Sequence, residues 1–333
     1  MADVLLQVAD LGVQFKTDDG LVRAVDGGSF DIRAGETLGI VGESGSGKTV
    51  LNLALLGLLP VPPGRITGGR ALYQGANLLA MRPRELSKIR GDRIAMIFQD
   101  PMTSLNPFLT VADQLCEVTR LHRRHSRAQA LRHAIGMLEK VGIPSAAQRI
   151  FDYPHQFSGG MRQRVMIAMA LSCQPDLLIA DEPTTALDVT IQAQILDLLK
   201  QLQQEEGTAI ILITHDMGVV ANICHRVNVM YAGRFVEEAS VDDLFSDPRH
   251  PYTHGLLESV PRVTEQPGDK LVPIEGQPPD LIHLPPGCAF QPRCPYRVER
   301  CSQEQPPLAG SDDHRFACFV DIKTAPRREE EVV

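Results

Sequence analysis

Short runs of apolar residues alternate with longer amphipathic stretches through the first three-quarters of the chain. Thr37-Leu38-Gly39-Ile40-Val41, Ile94-Ala95-Met96-Ile97-Phe98, Leu177-Leu178-Ile179-Ala180 and Ala209-Ile210-Ile211-Leu212-Ile213-Thr214 are continuous rather than alternating. A strand buried on both faces reads this way, as in a parallel sheet covered by helices. Between such runs, residues 189–203 carry Ile191, Ile195, Leu196 and Leu199 about a turn apart, which predicts a helix with one apolar face. Strands alternating with helices predict an α/β sheet.

The pattern changes near residue 250. Residues 251–333 hold 13 of the 24 prolines and four of the seven cysteines. Proline at that density removes backbone donors and blocks long helices, so the stretch reads as a loop-rich appendage. The chain therefore divides into a body, 1–250, and an extension, 251–333. The charged tail Arg327 to Glu331 reads as frayed. No apolar run approaches the roughly 18 residues of a membrane span. The N-terminus has no cationic start and an early acid, Asp3, so it does not read as a secretory signal. The expectation is a cytoplasmic chain whose cysteines are thiols or metal ligands rather than disulfides.

Composition narrows this further. With 333 residues, 43% of them apolar and 22% charged, the chain is globular rather than disordered or fibrous. A net charge of -8 argues against a basic nucleic-acid surface, and 5% aromatics without Trp argue against a base-stacking platform.

The candidate chemistry starts at Gly42-Glu43-Ser44-Gly45-Ser46-Gly47-Lys48-Thr49, between a predicted strand and an apolar helix. Glycines let the backbone curl so that successive N–H groups point at phosphate oxygens, and the helix N-terminus adds partial positive charge. Lys48 is placed to reach the β- and γ-phosphates, and the Thr49 hydroxyl to ligate Mg²⁺. A second feature is the buried strand that ends in Asp181-Glu182. Asp181 is placed to hold Mg²⁺ and Glu182 to act as general base on water. A third is Phe157-Ser158-Gly159-Gly160-Met161, whose Ser-Gly-Gly opens a helix from about Arg162 as another anion-facing N-terminus.

With these three motifs in order, the chain resembles the nucleotide-binding subunit of an ATP-binding-cassette transporter. The resemblance implies a P-loop NTPase cassette: a mixed sheet core, a helical subdomain at about 100–175 and an antiparallel β subdomain. It also implies that Ser158, Gly159 and Gly160 complete the ATP site of an opposite subunit. Gln99 resembles the glutamine that senses Mg²⁺ and the attacking water. Asp100-Pro101-Met102-Thr103-Ser104-Leu105-Asn106-Pro107 resembles the loop that meets membrane subunits. Ala186-Leu187-Asp188 resembles the loop that links two sites across a dimer, His215 the switch histidine at the γ-phosphate, and Phe15 the aromatic that stacks on adenine; Phe15 also reads as a core position beside Val13. The signature departs from Leu-Ser-Gly-Gly-Gln at Phe157 and Met161. Met161 lacks a glutamine's hydrogen bonds, so equal rates at the two sites are not implied.

His250-Pro251-Tyr252-Thr253 and the cysteines beyond it resemble the extension of the oligopeptide, dipeptide and nickel importer subgroup. Cys288, Cys294, Cys301 and Cys318 follow C-x5-C-x6-C-x16-C, four cysteines in 31 residues, which argues for a metal. The gaps are longer than a zinc ribbon's pairs, and the resemblance implies a [4Fe–4S] cluster; zinc and free thiols stay open. Cys116, Cys173 and Cys224 read as buried thiols. The implied activity is ATP hydrolysis that drives import of short peptides. The implied partners are a second related cassette, two transmembrane permeases and a periplasmic or extracellular binding protein, with no nucleic acid. The implied location is peripheral, on the cytoplasmic face of the inner membrane. Nickel or another small solute is an alternative cargo. A soluble, non-transport cassette ATPase is the competing class, but the 111 positions from Gly47 to Ser158 carry no sustained heptads.

Overall fold

The four apolar runs become strands in the computed structural model, which describes residues 3–100, 104–185, 187–259 and 273–326. In chain order the main elements are β1 (Val4–Lys16), β2 (Leu21–Arg33), β3 (Thr37–Val41), α1 (Lys48–Leu55), β4 (Gly64–Tyr73), β5 (Ala76–Asn77), β6 (Ile94–Ile97), α2 (Val111–His122), α3 (Arg127–Lys140), α4 (Gly159–Leu171), β7 (Leu177–Asp181), α5 (Val189–Glu206), β8 (Ala209–Thr214), α6 (Met217–Ile223), β9 (Arg226–Tyr231), β10 (Arg234–Ser240), α7 (Val241–Ser246), α8 (Pro251–Glu258), β11 (Ala309–Gly310) and β12 (His314–Phe316). Readings that fall on residues 101–103, 186, 260–272 and 327–331 lie outside the described residues.

Two compact units are assembled from discontinuous stretches: 1–5, 32–37 and 80–213 in one, and 6–31, 38–79 and 214–333 in the other. In the first, β6, β7 and β8 run parallel, with Ile94 opposite Leu177 and Leu177 opposite Ala209. All of β7 and β8 is buried, which is why their runs lack alternation. The expected strand 94–98 stops at Ile97, where the β7 ladder ends at Ala180, and Phe98 is 40% exposed. Helices α2, α3 and α4 pack on one another in this unit, within the stretch expected to be helical. Each starts at a hydroxyl that satisfies an orphan N–H group: Thr110 accepts from Asp113, Ser126 from Gln129 and Ser158 from Met161. The cap at Ser158 starts α4 at Gly159, three residues before the expected Arg162. Helix α5 continues past Gln203 until Gly207 ends it at a φ of 67°.

The second unit holds an antiparallel sheet in the order β2-β1-β4-β5, with Leu6 of β1 opposite Tyr73 of β4. It also holds a second strand set. Here β3 pairs parallel with β9, β9 antiparallel with β10, β10 with β12 and β12 with β11. The described strands of the extension are thus added to the sheet edge of this unit. The extension is loop-rich, as its prolines predict, but it begins with a helix that the proline count hid. Pro251 sits at the first helical position of α8, where its missing N–H costs nothing, and the His250 side chain caps the helix. Tyr252, Val229, Tyr231, Val236 and Phe290 form an apolar core here, with Cys288 and Cys294 packed against it. No helix among the described residues is long and apolar enough to cross a membrane.

Candidate active site

The second unit carries the glycine-rich loop expected to hold phosphate. Strand β3 ends at Val41, and the chain turns through Gly42 at a φ of 153° and Gly47 at 106°, both in the region that favours glycine. A Cβ on Gly42 would lie 2.2 Å from the Met230 carbonyl oxygen, and one on Gly47 would lie 2.1 Å from that of Ala24. The loop therefore packs against neighbouring backbone where only glycine fits. Lys48, the first residue of α1, is 5% exposed. Its Nζ donates to the carbonyls of Gly42 at 2.7 Å and Glu43 at 2.8 Å. The loop thus wraps its own lysine, while Ser44, Gly45 and Thr49 remain at the surface. A buried ammonium gathered in by its own loop carries the positive charge that an anion would meet there.

The first unit carries the paired acids that end β7. Asp181 is the last residue of β7 and is 2% exposed. Glu182 follows in the left-handed region at a φ of 45°, its N–H donating to the Ile213 carbonyl at 2.9 Å. This turn aims its carboxylate off the strand end. Glu182 Oε2 accepts from Gln99 Nε2 at 2.8 Å and from the Thr185 hydroxyl at 2.9 Å. The structure therefore joins Gln99 and Glu182, two residues that the sequence singled out separately. Thr185 was not singled out; its only signal was a hydroxyl three positions after the glutamate.

Ser158 and Gly159 are exposed at the start of α4, and Phe157 is buried beneath them. The signature thus departs at a core position that leaves Ser-Gly-Gly outward. Gly160 packs so close to α5 that a Cβ would meet Ile191 Cγ2 at 2.9 Å. Asp188 is committed to capping α5, accepting from Ile191 N–H at 2.9 Å. In the second unit, His215 is exposed just past β8, before α6. Phe15 is half-buried on β1, next but one to the fully buried Val13.

The cysteines of the extension gather in the second unit. Burial raises the Cys288 thiol, and the charge of Cys301 adds to it. Burial, then Cys318, Cys288 and Cys301, push the Cys294 thiol up to about 12; burial, then Cys288 and Cys301, push Cys318 to about 11. Burial is the main cause of all three shifts, and the neighbouring thiols add less. No group of three or more His, Cys, Asp or Glu placed to hold a metal occurs among the described residues. Of the other three cysteines, Cys116 and Cys173 are buried and Cys224 is partly so, its thiol pushed up to about 12 by burial.

A third group of residues was not legible in the sequence. Arg293, between two of the cysteines, makes a bidentate ion pair with Glu43 of the phosphate loop, at 2.7 and 2.9 Å. The Tyr252 hydroxyl accepts from the Glu43 N–H at 2.7 Å.

A strand, a glycine loop wrapped around a lysine, a strand ending in paired acids and a serine-capped Gly-Gly helix define an ATP-binding cassette. Residues 25–185 match the ABC transporter family, and residues 236–301 match the oligopeptide/dipeptide transporter C-terminal region. The oligopeptide transport ATP-binding protein OppD of Salmonella typhimurium is 55% identical over 97% of this chain and 95% of its own length. The dipeptide transport ATP-binding protein DppD of Bacillus subtilis is 52% identical over 96% of each. A solved post-hydrolysis dimer of an ATP-binding cassette bound to ADP and Pi matches with a TM-score of 0.64 at 28% identity, over 71% of this chain and 98% of that one. The chain belongs to the ABC transporter ATPases that carry the oligopeptide/dipeptide transporter C-terminal region, and it is an ATP-hydrolysing subunit.

Proposed function

We propose that the chain is the motor of a membrane importer of short peptides, with the cassette at 1–250 and the importer extension at 251–333. It works peripherally, on the cytoplasmic face of the inner membrane. The supporting observation is that likeness to peptide-transport subunits runs through 97% of the chain, extension included. A soluble repair or translation ATPase would have no use for that extension.

In this reading the amides of the Gly42 to Thr49 loop and Lys48 hold the ATP phosphates, and Phe15 stacks on adenine. Thr49, Gln99 and Asp181 are hard oxygen donors and fit Mg²⁺, which when bound neutralises phosphate charge. Glu182 takes a proton from water as the water oxygen bonds to the γ-phosphorus. The bond from that phosphorus to the β–γ bridging oxygen breaks, giving ADP and phosphate. Gln99, hydrogen-bonded to Glu182, orients the water, and His215 contacts the γ-phosphate. Ser158, Gly159 and Gly160 serve the site of a second, related cassette, and Asp188 links the two sites. ATP closes this pair and hydrolysis reopens it, moving two permeases fed by an external binding protein. Nucleic acid has no place in the cycle.

The four extension cysteines hold a [4Fe–4S] cluster in this reading, as a structural element. Iron and acid-labile sulfide after anaerobic purification test it, and stoichiometric zinc without sulfide would overturn it. The transport reading is tested by mass spectrometry of what co-purifies with the tagged chain from native membranes in mild detergent. Two permeases and a second cassette are expected; repair or ribosomal proteins alone would overturn the reading.

A further inference from the structure

Glu43 of the Gly42 to Thr49 loop is tethered at its side chain, amide and carbonyl, and two of its tethers come from the extension. Its carboxylate takes both arms of the Arg293 guanidinium, and its N–H donates to the Tyr252 hydroxyl. Its carbonyl accepts from Lys48 Nζ at 2.8 Å and from the Ser46 N–H at 3.2 Å. Side chain, amide and carbonyl are all fixed, so the peptide planes that follow have little freedom to rotate.

Arg293 is itself held tightly. Its side chain is 5% exposed. The guanidinium lies 6.0 Å from the ring centres of both Tyr231 and Phe290. Its Nε donates to the Glu275 carbonyl at 2.9 Å and Nη2 to that of Ile274 at 3.3 Å. Tyr252 is fully buried, its ring centre 4.6 Å from that of Tyr231 and 5.5 Å from that of Phe290. A charge this enclosed is costly unless matched, so the Arg293–Glu43 pair is maintained once formed. Arg293 also directly precedes Cys294 in the chain.

We propose that Arg293 and Tyr252 are positioning residues for ATP binding: the extension sets the phosphate-loop conformation by holding Glu43. The cysteine segment and the nucleotide site are then two ends of one mechanical link. This rests on the reading of the Gly42 to Thr49 loop as the ATP phosphate site. The link acts on binding, because the contacts of both residues go to Glu43 of the loop itself.

The test uses the full-length chain. ATP affinity is measured by equilibrium binding, kcat and KM by steady-state hydrolysis, and folding by thermal melting. Arg293→Ala is expected to raise the ATP Kd and KM about tenfold, the worth of a charge-assisted hydrogen bond, with kcat within about twofold. Arg293→Lys keeps the charge but loses the fork and should recover part of the loss. Tyr252→Phe keeps the packing, loses one acceptor and should raise Kd about threefold. Glu43→Gln combined with Arg293→Ala should be no worse than Arg293→Ala alone, because both remove the same link. An unchanged Kd in Arg293→Lys and Tyr252→Phe, with only a lower melting temperature, would make the contact a plain fold brace and overturn the inference. Fully additive losses in the double variant would do the same. A wild-type chain that bound no ATP would instead overturn the reading of the loop, and this inference with it.

Discussion

Gln99 Nε2 donates to Glu182 Oε2 across 2.8 Å, although 83 positions separate them in the chain. The contact ties the end of β6 to the end of β7, adjacent parallel strands. It also fixes the orientation of Glu182, with the Thr185 hydroxyl donating to the same oxygen.

Glu182→Gln should preserve that orientation and remove the proton acceptor. Hydrolysis is expected to fall by about 10² to 10⁴, with ATP affinity retained. Single-turnover hydrolysis beside equilibrium ATP binding checks this. Wild-type turnover in the variant would refute Glu182 as the base.

Lys48→Ala acts at a different step. It removes a buried ammonium that already bridges two loop carbonyls. ATP affinity should drop about a hundredfold, the combined effect of lost charge-assisted contacts to phosphate. A titration with a fluorescent ATP analogue reads this directly, and an unchanged affinity would remove Lys48 from the phosphate site.

Gly47→Ala tests the loop geometry rather than its charge. The added methyl would lie 2.1 Å from the Ala24 carbonyl oxygen, in a backbone conformation with φ at 106°. The strand and loop must shift to relieve it, at a cost of roughly 2–4 kcal/mol. Denaturant unfolding of the variant beside wild type measures the loss.

His250 predicts a pH dependence. It is fully enclosed, and burial lowers its pKa from 6.5 to about 4, with the charge of Glu237 opposing the shift. The unfolded chain therefore binds a proton at higher pH than the folded one. Stability is fully present above pH 6.5 and declines as pH falls toward about 4, by at most about 3 kcal/mol. Glu237 accepts from the His250 N–H and contacts His314, so both histidines face one carboxylate. Melting temperature recorded from pH 7 to pH 4.5 should fall, and less steeply in His250→Gln. Parallel curves for the two proteins would dismiss the assignment.

The sequence was most informative where burial was two-sided. The runs at 37–41 and 209–214 coincide with β3 and β8 because a strand covered on both faces admits little but apolar residues. The start of α4 was less visible: Gly159 and Gly160 are poor helix formers, and only the cap at Ser158 makes them helical. Motif residues were legible one by one, but which of them touch was not. The Arg293–Glu43 pair spans 250 positions and obeys no spacing rule, and the Tyr252 hydroxyl accepts from the loop's Glu43 N–H although it comes from a segment that reads as proline-broken. The cysteine spacing likewise gave the chemistry of the donors without their geometry.

Strand β12 covers the flank of β10, with Phe316 opposite Glu237 and Arg315 opposite Glu238. During synthesis β10 leaves the ribosome roughly 75 residues before that partner. Throughout that interval β10 has one unpaired side, a row of open backbone groups of the kind that recruits foreign strands. A message truncated inside the extension would make this condition permanent. Such a product would hold every nucleotide-site motif and still be prone to self-association.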